Sequence, residues 1–290
     1  MRYIDLHVHS NCSDGTFSPE ELVVLGIKQE LVAFALTDHD TISGVERAIK
    51  KAEEFDNKIQ VIPGMELSCK YTISSSQSVE IHMLGYRYDI HNKKLIATLE
   101  DISNERDERN RKMCSNLQNA GFPISYDMLC ERFGDTILTR AHFARLLLEN
   151  GGVPSLDYAF RTCLSSDSPY FVNREYLTPK DAIDLIRASG GIPVLAHPLL
   201  YKLSVSQIRR LLDDLTSYGL CGIEAIYSRN RGTDEAFVRK LADEYHLFIT
   251  GGSDFHGANK PDIELGRGTG NLRVPVMLWR IYDNFFLKQR

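Results

Sequence analysis

Long apolar runs are missing from this chain of 290 residues, so no stretch approaches the ~20 residues that a membrane-spanning helix needs. A basic surplus is missing as well. There are 34 Lys and Arg against 39 Asp and Glu, a formal net charge of −5. That balance argues against a general binder of nucleic-acid backbones, while leaving room for a local basic pocket. Paired cysteines are absent too: Cys12, Cys69, Cys114, Cys130, Cys163 and Cys221 are scattered, with no Cys-x-x-Cys. Free thiols in the cytosol are expected rather than a disulfide framework. Cys12 and Cys69 fall near the candidate ligands described below, but buried structural thiols are the expectation. The opening Met1-Arg2-Tyr3-Ile4-Asp5 turns polar at once, unlike a secretory leader, which adds to the expectation of a cytoplasmic protein. No internal repeat or low-complexity stretch stands out.

With 43% hydrophobic and 25% charged residues, the chain suits one large soluble domain, or one domain carrying an insertion. Its first part alternates strand-like and helix-like segments. Arg2 to Val8 reads as a strand. Ser18-Pro19-Glu20-Glu21 is a helix start with a capping box, the helix ending by Glu30. Leu31 to Leu36 is a continuous apolar run, as in a strand buried on both faces. A helix is expected over 42–55, a strand over 59–63 and another over 79–86. From about Asp89 the texture becomes helical. His91 to Ala120 forms one long helix with Leu95, Leu99, Ile102, Met113 and Leu117 as its apolar stripe, and the charged run from Glu105 to Arg111 as a solvated face. Further helices are expected over 126–133, 139–150 and 155–164. Alternation resumes with a second capping box at Thr178–Asp181 and its helix. Strands then follow over 192–196, 222–226 and 247–250, separated by helices over 204–218 and 234–245. About seven strand–helix units result, with polar groups at the strands' C-terminal ends, where parallel α/β barrels and open α/β sheets carry their chemistry. Ser74-Ser75-Ser76 reads as a surface loop.

Of nine histidines, His7, His9, His39, His82, His197 and His256 lie within or just after these strands. His7 and His9, at i and i+2, point to the same side of a strand. Imidazole and carboxylate are the usual ligands of zinc, manganese and iron. Six strand-end histidines joined by Asp14, Glu66 and Asp254 make a cluster that calls for bound cations. Gly266-Arg267-Gly268-Thr269-Gly270 lacks a following helix and reads as a turn before a last strand, not a phosphate loop. His91 and His246 read as surface residues.

Asp5-Leu6-His7-Val8-His9-Ser10 with Ser13-Asp14-Gly15, Thr37-Asp38-His39-Asp40, Pro63-Gly64-Met65-Glu66, His82, Ala196-His197-Pro198 and Ser253-Asp254-Phe255-His256 resemble the ordered motifs of the PHP (polymerase and histidinol phosphatase) family. The match covers 1–88 and about 177–270. The helical stretch between resembles the branch containing 3′,5′-nucleoside bisphosphate phosphatases and 5′–3′ exoribonucleases. The resemblance implies a distorted (β/α)7 barrel, discontinuous over 1–88 and 177–290, with 89–176 as a helical insertion forming a lid over the site. It implies three divalent ions (manganese, iron or zinc, with magnesium possible as a substitute). One would take His7, His9, Glu66 and Asp254. A second would take Glu66, His82 and His197, and a third Asp14, His39 and His256. Asp14 stands where some relatives have His.

Clustered divalent ions suit phosphoester hydrolysis, because they neutralise phosphate oxygens, activate water and stabilise the leaving oxygen. The expected reaction is in-line attack by metal-bound hydroxide on a small phosphorylated substrate, a nucleotide or short oligonucleotide. Glu66, Asp38 and Asp40 are the candidate catalytic residues, the two aspartates as orienters of a ligand histidine or proton shuttles. Cations for substrate phosphates are sought at Arg140 and His142, in a Thr-Arg-x-His stretch that also resembles the phosphoesterase branch, and at Arg174, Lys202 and Arg229. The leading expectation is release of phosphate from a nucleoside 3′,5′-bisphosphate to leave a monophosphate such as AMP. Short-RNA 5′–3′ exonuclease and histidinol phosphatase activities are the neighbouring readings. A non-catalytic metal-binding PHP module and an amidohydrolase are readings of other classes.

Overall fold

The computed structural model describes residues 2–75, 77–134 and 136–279. Ser76 of the expected Ser74–Ser76 loop and the tail 280–290 of the expected barrel segment lie outside these residues. The wall of the fold is a sheet in the order β7-β6-β5-β4-β3-β2-β1-β8. Its strands are β1 (Tyr3–Val8), β2 (Leu31–Leu36), β3 (Gln60–Ser74), β4 (Gln77–Tyr86), β5 (Ile192–Leu195), β6 (Gly222–Tyr227), β7 (Phe248–Gly252) and β8 (Val274–Pro275). β1, β2 and β3 run parallel, as do β5, β6 and β7. β4 is antiparallel to both of its neighbours, and the two-residue β8 is antiparallel to β1. The sheet curls until the segment after β7 meets β1. There the Asp254 amide donates to the His7 carbonyl at 2.8 Å and the His9 amide donates to the Phe255 carbonyl at 3.0 Å. This nearly closed barrel is the fold that the sequence motifs imply.

The close approach has a sequence cause. A Cβ on Gly252 would sit 2.3 Å from the His7 Cβ and 2.5 Å from its backbone nitrogen, so only glycine lets β7 lie this near β1. Between the strands, α1 (Pro19–Lys28), α2 (Val45–Glu53), α7 (Pro179–Ala188), α8 (Val205–Tyr218) and α9 (Asp234–Glu244) pack on the outside. α1 starts at the capping box that the sequence announces: the Glu21 amide donates to Ser18 Oγ, and the Ser18 amide to Glu21 Oε2 at 2.7 Å. α7 keeps only half of its expected box. The Asp181 amide donates to Thr178 Oγ1, but the Asp181 carboxylate accepts from that same hydroxyl at 2.6 Å. One methylene shorter than Glu, it meets the side chain rather than the backbone amide.

The third strand differs most from expectation. β3 runs on past Pro63 to Ser74 and pairs with β4 as a long antiparallel hairpin. Leu67, Cys69, Tyr71 and Ile73 are buried while Lys70, Thr72 and Ser74 are exposed, the period-2 alternation of a strand with one wet face. The hairpin replaces a strand–helix unit and carries His82 back beside Glu66.

Between β4 and α7 lie α3 (Lys93–Asn119), α4 (Tyr126–Phe133), α5 (Arg140–Glu149) and α6 (Leu156–Tyr158), the last continuing into a π-helical turn at Ala159–Cys163. They enclose their own apolar cluster, including Met113, Leu117, Leu129, Phe143 and Leu147. α3 serves both bodies. Leu95, Leu99 and Ile102 on its first half join the barrel's outer core, and Met113 and Leu117 on its second half join the helical cluster. Among the described residues, no helix is long and apolar enough to cross a membrane.

Candidate metal centre

β1 carries His7, and His9 follows its last residue; both are fully buried. The stretch after β2 continues alongside β3: the Asp40 amide donates to the Glu66 carbonyl and the Glu66 amide to the Asp38 carbonyl. That pairing sets His39 beside Glu66. His82 comes from β4, His197 follows β5, and Asp254 and His256 follow β7. Residues far apart in sequence thus meet at one end of the barrel.

Glu66 is the hub. Its Oε2 lies 3.3 Å from His7 Nε2, 3.2 Å from His9 Nε2 and 3.1 Å from His39 Nδ1. Its Oε1 lies 2.8 Å from His82 Nδ1 and 3.0 Å from His197 Nε2. Asp254 Oδ1 stands 3.7 Å from His7 Nε2 and 3.5 Å from His9 Nε2. Asp14 Oδ1 stands 3.2 Å from His256 Nε2 and 3.8 Å from both His9 Nδ1 and His39 Nε2. Atoms bound to one ion at about 2.1 Å are separated from each other by roughly 3 to 3.5 Å, and the spacings here, 2.8 to 3.8 Å, bracket that range. Burial pushes the Glu66 carboxyl up, but His7, His82 and His39 together hold it well below the usual carboxylate range.

Several facing atoms are buried and make no hydrogen bond: His7 Nε2, both ring nitrogens of His9, Asp14 Oδ1, His39 Nδ1, Glu66 Oε2 and His197 Nδ1. Buried polar atoms are seldom left so. His197 apart, these residues converge into the groups His9–Asp14–His39–His256, His7–His9–Glu66 and His39–Glu66–His82, which fits divalent metal ions, with the imidazole and carboxylate donors that such ions take.

Behind the ligands stands a frame that the sequence reading missed. Glu224, fully inside β6, places Oε1 3.0 Å from His7 Nδ1 and accepts from the His197 amide at 2.9 Å. Asp5 accepts from the amides of Ser253 and Gly266 at 2.8 and 2.7 Å, and from Ser253 Oγ. Tyr227 donates to Asp254 Oδ2 at 2.7 Å, and Lys260 lies 2.6 Å from the same oxygen. A carboxylate in the middle of an otherwise buried strand, as Glu224 is, was the available signal. Asp40, His197 and Asp254 hold φ of 51°, 21° and 57°, a conformation that L-residues adopt mainly at turns and functional sites.

A cavity of about 270 Å³ opens onto Asp14, His39, His82 and His256. Of the sequence-derived cation candidates, Arg140 and Arg174 line it. The others do not. His142 is buried as a cap, its Nδ1 accepting from the Thr139 amide at 2.9 Å, with Phe133 edge-on at 4.6 Å. Burial pushes its pKa down to about 4, which keeps that nitrogen free to accept. Lys202 is exposed outside the cavity, and Arg229 pairs with Asp262 on the surface. Asp38 is bonded to the Ser10 amide and hydroxyl and to Ser13 Oγ at 2.6–2.7 Å, bracing the loop that carries Asp14. Asp40 accepts from the Ser68 amide at 2.8 Å and from the guanidinium groups of Arg106 and Arg174. Arg106, Arg109, Arg145 and Lys260 also line the cavity. The stretch from Glu105 to Arg111 is therefore not wholly a solvated face: Arg106 and Arg109 are each 6% exposed.

The nearly closed barrel, the inward histidines and the carboxylate hub define a metal-dependent phosphoesterase. The chain belongs to the PHP domain family, which matches residues 5–152, and is a hydrolase of phosphoric esters. It is 34% identical to a 5′-3′ exoribonuclease of Haemophilus influenzae, over 95% of this chain and 97% of the relative. It is 31% identical to a 3′,5′-nucleoside bisphosphate phosphatase of Chromobacterium violaceum, over 97% of this chain and 96% of that one. A solved structure of a candidate metal-dependent phosphoesterase from Bifidobacterium adolescentis superposes with a TM-score of 0.83 at 28% identity, covering 97% of this chain and 96% of that one.

Proposed function

We propose that the chain releases phosphate from a small nucleotide, a nucleoside 3′,5′-bisphosphate yielding a nucleoside 5′-monophosphate. The observation that carries this reading is the joining of two surfaces in one cavity: carboxylates and imidazoles on the barrel side, arginines on the helical side. A cavity of about 270 Å³ falls just below the about 300–1,000 Å³ typical of ligand pockets, which suits a mononucleotide better than a long polymer. Leu156 and Phe160, partly exposed, add an apolar wall for a base.

In this proposal one ion is held by His7, His9, Glu66 and Asp254. A second is held by Glu66, His82 and His197, and a third by Asp14, His39 and His256. The ions supply charge neutralisation on the phosphate and acidification of water. Glu66, with Oε2 beside His7 and His9 and Oε1 beside His82 and His197, would serve the first two of these sites. Glu224 and Asp5 orient their neighbours, and Asp38 and Asp40 are positioning residues rather than proton carriers. Arg140 and Arg174 bind phosphate oxygens. Residues 89–176 act as a lid whose arginines meet the substrate. The six free cysteines favour a cytoplasmic setting.

The second reading, a 5′–3′ exonuclease on short RNA, is favoured by the 34% identity to a relative of that name. The discriminating experiment incubates manganese-loaded protein with adenosine 3′,5′-bisphosphate, AMP, histidinol phosphate and a short 5′-phosphorylated RNA, and measures released phosphate and mononucleotide. Rapid phosphate release from the bisphosphate is expected. Faster mononucleotide release from RNA would favour the exonuclease, and inactivity on all four with metal bound would favour a non-catalytic module.

A further inference from the structure

The long helix α3 carries a single stripe of inward positions: Leu95, Leu99, Ile102, then Arg106 and Arg109, then Met113 and Leu117. Steps of three and four keep all of these on one face. Two arginines, with the buried Asn110 beside them, therefore interrupt the apolar stripe at the point where α3 leaves the barrel core for the helical cluster.

The two are treated differently. Arg106 and Arg174 share the Asp40 carboxylate. Arg140 pairs with Glu80, Arg145 with Glu149 and Lys260 with Asp254. Arg109 has no such partner. No carboxylate among the described residues lies within 4.0 Å of its guanidinium. Its Nε is buried without a hydrogen bond, and its Nη1 meets only the Met113 sulfur at 3.4 Å. Burial, and next the nearby Arg106, push its pKa down. A buried, unpaired guanidinium is costly, and an anion entering the cavity would supply the missing partner.

Arg109 lines the same cavity as His39, His82 and His256. We propose that Arg109 is the receptor for a second, non-scissile phosphate of the substrate and so selects doubly phosphorylated nucleotides. The planar fork of a guanidinium matches two phosphate oxygens, and the cavity spans the distance from metal ligands to helix α3. This assignment rests on the phosphoesterase reading above, and it names a residue that sets substrate class rather than one that reacts.

The test compares kcat/KM for adenosine 3′,5′-bisphosphate and adenosine 3′-monophosphate, which differ only in the non-scissile phosphate. The manganese-loaded full chain and its Arg109→Met variant are compared. The wild type is expected to prefer the bisphosphate, and Arg109→Met to lose about 10–100-fold of that preference, mostly through KM. Arg109→Lys, which keeps charge but not the fork, is expected to fall between and serves in its place if the Met variant does not fold. Preference unchanged in the variants, or both substrates slowed equally, would overturn the assignment. If neither substrate turns over, the phosphoesterase reading fails by itself. Calorimetry of AMP against adenosine then decides on Arg109: a preference for AMP lost in the variant upholds the phosphate site, and one that persists removes it.

Discussion

Arg106 on helix α3 donates its Nε to Oδ2 of Asp40 at 2.9 Å, tying the helical segment to the loop after β2 that also carries His39. Arg174 reaches the same oxygen at 3.2 Å. Burial would raise the Asp40 carboxyl, but Arg106 and Arg174 hold it down to about 2. One carboxylate thus holds two guanidinium groups at the rim of the cavity.

Asp40→Asn leaves both buried cations without their counter-charge. Breaking one side of a buried ion pair costs about 3–5 kcal/mol, so a loss of that size is expected in urea unfolding. A change below about 1 kcal/mol would show that the arginines find compensation elsewhere, contrary to a tie centred on Asp40.

Glu66→Gln keeps the shape of the hub and removes its charge. Turnover is expected to fall by at least roughly 10²–10³-fold, the scale on which a single electrostatic stabiliser acts. The circular dichroism spectrum is expected to stay native. Full activity with full metal content would rule out a carboxylate shared between ions.

Glu224 touches no proposed ion and orients His7 and His197 from inside β6. Loss of such an orienting group typically costs about 10–100-fold in metal affinity. Glu224→Gln is expected to show that loss in a competition titration against a metal-sensitive dye. An unchanged affinity would reduce Glu224 to a structural contact.

Gly252→Ala puts a methyl group 2.3 Å from the His7 Cβ, closer than atoms pack. β7 must then move away from β1, and Asp254 with it. A lower melting temperature together with weaker metal binding is expected. A normal melting temperature with intact metal content would mean that the barrel seam is loose.

Much of this was legible in the chain. His7, His9, His39, His197, Asp254 and His256 sit near or just past strand ends in motifs, so their convergence follows once those strands are taken to be parallel, whereas Glu66 and His82 lie inside the antiparallel β3–β4 pair. Ser18–Glu21 announced its helix because both halves of a capping box are local. The β3–β4 hairpin was not seen, because the alternation of Leu67, Cys69, Tyr71 and Ile73 was passed over for the apolar run before it. Arg106 and Arg109 looked solvated because charge was weighed before phase: stepping by three and four from Ile102 puts both on the buried stripe. His142 looked like a substrate group, but at N3 of α5 its ring nitrogen caps the Thr139 amide. Glu224 and Asp5 could not be assigned from sequence, since the atoms they hold come from other strands.

The most direct test of the metal cluster is anomalous diffraction from crystals of the manganese-loaded protein. Peaks are expected between Glu66, His7, His9 and Asp254, between Glu66, His82 and His197, and between Asp14, His39 and His256, with Glu66 touching the first two. Crystals grown in excess manganese with no peak among these residues would contradict the assignment.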